Sequence, residues 1–256
     1  MPLGGLVVLV TGGSSGIGRA IALACAGAGA DIALTYAHHE GGARETASQV
    51  AAAGRRAAVF HLDLGANDGL EKALGGLARD VVKAFGRIDA WINNAGADIL
   101  TGESANLPAA AKLDLLLSVD LRGTILASWA AVEQMRAQER GGVIVNMSWD
   151  HVITGMAGRN PQIFAAVKGG VLSFSKSLAR SVAPLVRVNT LAPGWIETAF
   201  GDSLDAGRRR EVAQSTPLQR WGTPADVAAA AVYLASPAAA FLTGQTIFVN
   251  GGVVMG

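Results

Sequence analysis

Cysteine is almost absent: Cys25 stands alone among 256 residues. A single thiol excludes an internal disulfide framework and any multi-cysteine zinc site, and it suits a reducing compartment. No metal site is expected. Charge is sparse as well, with 16% Asp, Glu, Lys and Arg, and 21 basic against 20 acidic side chains leave a formal charge of +1. A chain so balanced exerts no long-range pull on nucleic acid or anionic lipid, and neither is expected as a partner. Tyrosine is the third shortage, Tyr36 and Tyr233 being the whole supply. Long apolar runs are lacking too. The run in MPLGGLVVLVTGG has no basic segment before it and stops at Thr11 and Gly12, while Val227–Leu242 is interrupted by Ser236-Pro237. The first is too short for a secretory core or a membrane span, so a soluble cytoplasmic protein is expected.

What the chain has in quantity is glycine, 33 residues, and apolar side chains, half of the total. The apolar residues fall into short runs: Leu6–Val10, Asp31–Tyr36, Arg56–His61, Ala90–Asn93, Gly142–Met147, Arg187–Leu191 and Thr246–Val249. Stretches with helical spacing lie between them, namely Gly16–Ala28, Arg44–Ala53, Leu70–Phe85, Ala109–Glu139, Pro161–Ala183 and Pro224–Ala235. Uninterrupted aliphatic strands alternating with helices predict an α/β fold: a doubly wound parallel sheet of seven strands with helices on both faces. No linker, charge block or repeat divides the chain, so residues 1–256 read as one domain.

Such sheets bind ligands at the carboxyl ends of their strands. After Leu6–Val10 comes Thr11-Gly12-Gly13-Ser14-Ser15-Gly16-Ile17-Gly18, and a helix opens directly. Glycines there permit a tight turn and close approach to a pyrophosphate, whose charge a helix N-terminus stabilises.

The spacing TGxxxGxG resembles the short-chain dehydrogenase/reductase family, and further matches follow in order. Asp63-Leu64 is similar to the family's adenine contact, and Asn93-Asn94-Ala95-Gly96 to its NNAG element. Pro193-Gly194-Trp195-Ile196-Glu197-Thr198 resembles the PGxIxT segment around the nicotinamide, and Leu242–Gln245 with Val249–Gly252 the family's tail. Phe174–Arg180, Ala192–Thr198 and that tail are closest in pattern to β-ketoacyl carrier-protein reductases. The resemblance implies a Rossmann fold and a nicotinamide cofactor. It would be held by Gly12, Ser14, Ser15, Gly16, Ile17 and Gly18, by Asp63 and Leu64, by Asn93, Ala95 and Gly96, by Lys168, and by Pro193, Gly194, Ile196 and Thr198. The second strand ends at Tyr36 rather than at a carboxylate that would grip ribose hydroxyls, and Ala37, His38 and His39 follow. NADP(H) is thereby favoured over NAD(H), with His38, His39 or Arg44 meeting the 2′-phosphate. The alternative is that the two histidines are merely a solvated loop. A homotetramer is also implied.

Family chemistry uses an Asn, a Ser, a Tyr and a Lys, the last two four residues apart on one helix face. Here Lys168 matches the lysine and Phe164 occupies the tyrosine position. Asn160-Pro161 reads as an N-cap with proline at the first helical position. Tyr36 belongs near the adenosine end and Tyr233 reads as a core residue, so neither replaces the phenol. Counting forward from Val145-Asn146-Met147 puts the serine position on Trp149, with Ser148 one place early. Counting back seventeen from Lys168 gives His151. Asp150 and His151 are candidate proton donors, or else a turn residue and a solvated ring. Asp120, in Ser118-Val119-Asp120-Leu121, stands for the asparagine, either acting through water or Lys168 or satisfied by backbone N–H groups. Trp149 and Trp195 are candidate walls of an apolar substrate pocket, with Phe200 and Leu204 as a flap.

Two functions remain open on the sequence. One is a reductase of carbonyls, or dehydrogenase of alcohols, acting on a small molecule with its proton donor relocated. The other is a non-redox protein on the same scaffold, a cofactor-binding pseudoenzyme or a lyase/isomerase.

Overall fold

The seven aliphatic runs become seven strands: β1 (Val7–Val10), β2 (Asp31–Tyr36), β3 (Ala57–His61), β4 (Ala90–Asn93), β5 (Gly142–Met147), β6 (Val186–Pro193) and β7 (Thr246–Val249). The computed structural model describes every residue except Asn67, Ser203 and Gly256, and only the backbone of Phe200. All strand pairs are parallel and the sheet order is β3-β2-β1-β4-β5-β6-β7. The order reverses between β1 and β4, which opens a crevice at the carboxyl ends of those strands.

Strand residues alternate between the faces. Val8, Val10, Ile32, Leu34 and Ile92 pack with Ile21 and Cys25 of α1 (Gly16–Gly27). Val7, Leu9, Ala33 and Trp91 face the other way, onto Leu74 and Val81 of the helix Leu70–Phe85. Burial pushes the Cys25 thiol up to about 12, so it stays protonated and inert.

The remaining helices are α2 (Glu40–Ala52), α3 (Leu70–Phe85), α4 (Ala109–Leu116), α5 (Gly123–Ala137), α6 (Arg159–Val182), α7 (Ala199–Asp202), α8 (Ala206–Ser215) and α9 (Pro224–Ala235). The helices depart from the sequence reading in several places. The continuous helix expected over Ala109–Glu139 is interrupted by a π-helical turn, Leu117–Arg122, between α4 and α5. Helix α6 begins at Arg159 after Gly158, whose φ is 117°, so Asn160 is inside the helix and not its cap. Helices α7 and α8 were not expected; Asp205 caps α8 by accepting the Arg208 N–H at 2.9 Å. Tyr233, expected in the core, is 46% exposed on the outside of α9.

By length and composition, the stretch Ala109–Ala137 is long and apolar enough to cross a membrane, with a mean hydropathy of 1.4. Half of that window is buried inside the fold, where Ala127, Ala131 and Met135 pack beneath the sheet.

Candidate active site

One end of the crevice is built by backbone. Ser15 precedes α1 in an extended conformation without capping it through its side chain, which leaves the first amides of the helix open to a ligand. Ser15, Gly16 and Ile17 line the cleft, about 760 Å³ in volume. Gly18 is required by close approach: a Cβ there would stand 2.1 Å from the Gly12 carbonyl oxygen and 2.4 Å from Asn94 Nδ2. Thr11 Oγ1 accepts the N–H groups of Asn94 and Ala95, both at 3.0 Å, and Asn94 Nδ2 donates to the Thr11 carbonyl at 3.1 Å. These bonds staple the turn after β1 to the turn after β4.

The other end is built by side chains. The π-helical turn carries Asp120 to the base of the cleft, 1% exposed. Its Oδ2 lies 2.8 Å from Lys168 Nζ, and its Oδ1 accepts the Ala97 N–H at 2.8 Å. Lys168, 8% exposed, also donates to the Met147 carbonyl at 3.3 Å. Ser148 lines the cleft while its hydroxyl donates to the Lys168 carbonyl at 2.8 Å. Phe164, one helical turn before Lys168, presents its ring to the same space and packs on the cluster of Ile99, Leu116 and Val167.

Beyond β5 the chain makes a short 3-10 turn, Asp150–Val152. Asp150 is fully buried, and its Oδ1 takes the His151 backbone N–H at 2.8 Å and His151 Nδ1 at 2.6 Å. A carboxylate only accepts, so the Nδ1 proton faces Asp150 and Nε2 is the ring's outward nitrogen. Asp150 Oδ2 is buried without a hydrogen-bond partner. A Cβ at Gly194 would lie 2.7 Å from that oxygen, so only glycine lets the turn after β6 close over Asp150. The His151 ring stacks on Trp149 at 5.0 Å and meets Trp195 edge-on at 6.3 Å.

Several expected residues converge on the cleft: Ser15, Gly16, Ile17, Gly96, Asp120, Ser148, Phe164, Lys168, Pro193, Gly194, Ile196 and Thr198 all line it, with Trp149 and Trp195. Others do not. Asn93 is turned into a buried network, accepting from Trp91 Nε1 at 2.9 Å and donating to Asn146 Oδ1 at 2.8 Å, and its neighbour Asn94 faces the cleft instead. Asp150 lies behind the wall, and His151 stands between two wall residues rather than in the lining. Tyr36, His38, Asp63 and Leu64 sit at the carboxyl ends of β2 and β3, beyond this volume, where Asp63 Oδ1 accepts the Gly65 N–H at 2.8 Å. The Phe200 side chain lies outside the described residues, and Leu204 is not in the lining. Sequence reasoning missed Asp98, Leu100 and Met156 as wall residues. For the first two the available signal was position, just past the carboxyl end of β4. Burial alone would raise the Asp98 carboxyl, but hydrogen bonds from the Thr101 hydroxyl and the N–H groups of Leu100 and Thr101 hold it below the ordinary carboxylate range. Among the described residues no cluster of His, Cys, Asp and Glu is arranged to hold a metal ion.

A family model described as enoyl-(acyl carrier protein) reductase matches residues 12–254. An uncharacterized oxidoreductase of Mycobacterium tuberculosis is 38% identical over 96% of this chain and 91% of its own length. A 3-oxoacyl-[acyl-carrier-protein] reductase of Vibrio harveyi is 37% identical over the whole of both chains. Among solved structures, a short-chain dehydrogenase/reductase from Serratia marcescens superposes with a TM-score of 0.87 at 31% identity, covering all of both chains. With the switch-point crevice, the open helix N-terminus and the lysine one turn after a cleft-facing ring, these matches settle the lineage: the chain belongs to the short-chain dehydrogenase/reductase family of oxidoreductases.

Proposed function

We propose that this chain is an NADP(H)-dependent carbonyl reductase, or alcohol dehydrogenase in the reverse direction, whose proton comes from His151 instead of a tyrosine. The observation that carries the reading is the 2.6 Å Asp150–His151 pair held against Trp149 and Trp195 at the rim of the cleft. Phe164 stands where the family has its tyrosine, and Asp120 where it has its asparagine. Loss of the phenol calls for another proton donor, and a carboxylate-backed imidazole is the chemically suited one.

The residues fit a nicotinamide dinucleotide. No atom lies within 4 Å of where a Cβ on Gly16 would stand, so a pyrophosphate has room against the amides of Ser15, Gly16 and Ile17. When bound, the nicotinamide supplies the hydride. Pro193, Gly194, Ile196 and Thr198 brace that end of the cleft, and Lys168, positioned by Asp120, is the ribose donor. As the imidazolium, with its Nδ1–H held by Asp150, His151 would donate the Nε2 proton to the substrate oxygen and be left as the neutral Nδ1–H tautomer. Preference for NADP(H) rests on the absence of a carboxylate after β2 and on Arg19. That guanidinium donates to the Ser14 carbonyl at 2.8 Å and pairs with Glu45 at 3.1 Å, while its buried Nε has no acceptor. The solvent-exposed His38 and His39 flank the same corner. The reading includes a cytoplasmic homotetramer, supported by Trp129, which is 50% exposed on α5 and edge-on to Phe174 of α6.

The test follows NADPH absorbance with a panel of ketones for the wild type, His151→Ala and Phe164→Tyr. Wild-type turnover that falls roughly 10²–10⁴-fold in His151→Ala is the expected result. NADPH binding with consumption by Phe164→Tyr alone would overturn it. That outcome favours the second reading, a cofactor-bound protein without native reductase activity. The observation supporting that second reading is that Lys168 Nζ and the Ser148 hydroxyl are both engaged internally.

A further inference from the structure

Aromatic side chains make up 5% of the chain, yet three of its five tryptophans gather at one end of the cleft. The rings are contiguous. Phe164 meets Trp149 at 5.9 Å, Trp149 stacks on His151, His151 meets Trp195, and Trp195 meets Trp221 at 5.6 Å. They come from four separate places: the loop after β5, the first turns of α6, the loop after β6 and the segment between α8 and α9. Core packing does not account for the inner members. Trp91 is the core tryptophan, fully buried, whereas Trp149, Phe164 and Trp195 are each partly exposed and line the cleft. Trp221 is the anchor behind them: 6% exposed, with Nε1–H donating to the Arg209 carbonyl at 2.9 Å and the Arg209 guanidinium 5.6 Å from the centre of its ring.

The charge of the wall narrows the choice further. Its described ionisable residues are Asp98, Asp120 and Lys168. Lys168 is neutralised by Asp120 at 2.8 Å, and Asp98 is kept ionised by its own turn. The wall therefore offers no unpaired cation to an anionic substrate and carries one surplus negative charge.

From these observations we infer that the substrate is a planar, conjugated ring compound, uncharged or cationic, whose ring lies against Trp149 and Trp195. Flat π-faces gain offset-stacked and edge-to-face contacts that a saturated ring of equal size does not, and a cation gains further from the indole faces. The inference rests on the reductase reading for the identity of the reacting group, a carbonyl on or beside that ring.

Binding is measured apart from turnover, by calorimetry on the protein saturated with NADP⁺, using 2-acetylnaphthalene, its fully saturated decalin counterpart and 2-naphthoate. The expected order places 2-acetylnaphthalene roughly tenfold tighter than the saturated ketone, with the carboxylate weakest. Trp149→Leu and Trp195→Leu keep apolar bulk and remove the indole. Each is expected to abolish most of the planar preference, and an unchanged thermal melt certifies the fold. Equal binding of planar and saturated ketones, or leucine variants that retain the preference, would overturn the inference. If the planar ketone binds selectively and NADPH is never consumed, the reductase reading fails and the ligand class stands. Turnover of both ketones without selectivity has the reverse meaning.

Discussion

The two ends of the cleft are made of different materials. At the α1 end, the ligand-facing groups are backbone amides, and the side chains that matter, Thr11 and Asn94, act by holding main chain. At the α6 end, side chains dominate: an ion pair and a run of aromatic rings at the surface, with a histidine–carboxylate pair behind them. A backbone site tolerates sequence change except where an added atom would collide. A side-chain site changes its chemistry with each substitution and keeps its fold. On the proposed reading, that asymmetry is how a glycine-rich turn is kept while Phe164, Asp120 and the Asp150–His151 pair stand at the other end of the cleft.

The largest expected effect comes from breaking the side-chain end at its charge pair. Asp120→Ala leaves the Lys168 ammonium buried without its partner, which typically costs about 3–5 kcal/mol. Urea unfolding should show that loss, and the double variant Asp120→Asn with Lys168→Met should recover most of it. A loss below about 1 kcal/mol would mean that the pair does not hold this end together.

The backbone end should break by collision. Gly18→Ala forces a methyl against the Gly12 carbonyl, and overpacking of this kind costs about 1–3 kcal/mol. Because the displaced atoms belong to the turn itself, NADPH affinity should fall together with stability. A variant with full NADPH affinity would show that the turn adapts, contrary to the contrast drawn between the two ends.

The smallest effect lies in what supports the side-chain end from outside. Trp195 and Glu197 are tied to Gly222 by two hydrogen bonds of 2.9 Å, and Gly222 leads into the capping box in which Thr223 and Asp226 bond reciprocally. A side-chain bond from Arg220, with the Thr223 backbone N–H, holds the Asp226 carboxyl far below the ordinary carboxylate range. A depressed folded-state pKa contributes stability that is complete above the unfolded-state value. It is lost progressively as acidification passes below about pH 4 toward the folded-state value. Asp226→Asn should cost about 1 kcal/mol at neutral pH and show a flatter loss of stability in acid, read from thermal melts across pH. An unchanged acid limb would show that this cap does not brace the rim.

Legibility followed the same division. Strand β1 and the turn behind it could be read because β-branched runs and glycine spacing act locally, within ten residues. The placement of Lys168 and Phe164 on one helix face followed from the helical repeat. Asn93 and Asn94 could not be told apart, since which of two adjacent side chains enters a cleft depends on the buried network formed with Asn146 on the neighbouring strand. The π-helical turn at Asp120 left no signal in a stretch whose helical pattern runs on through it. Tyr233 looked like a core residue because its helix is apolar almost all round, and only packing decides which face is left outside.

By itself the sequence determined the α/β alternation, the glycine-rich turn after β1 and the phenylalanine one helical turn before Lys168, because each depends on residue type and near-neighbour spacing. Tertiary structure decided that Asp150 meets His151 through the ring and not only the backbone, that Asp120 reaches Lys168 across 48 positions of chain, and that Trp149 and Trp195 share a wall. The last two pairs are distant in sequence: Asp120 and Lys168 meet where the π-helical turn packs on α6, and Trp149 and Trp195 follow the adjacent parallel strands β5 and β6, which come side by side only when the sheet forms.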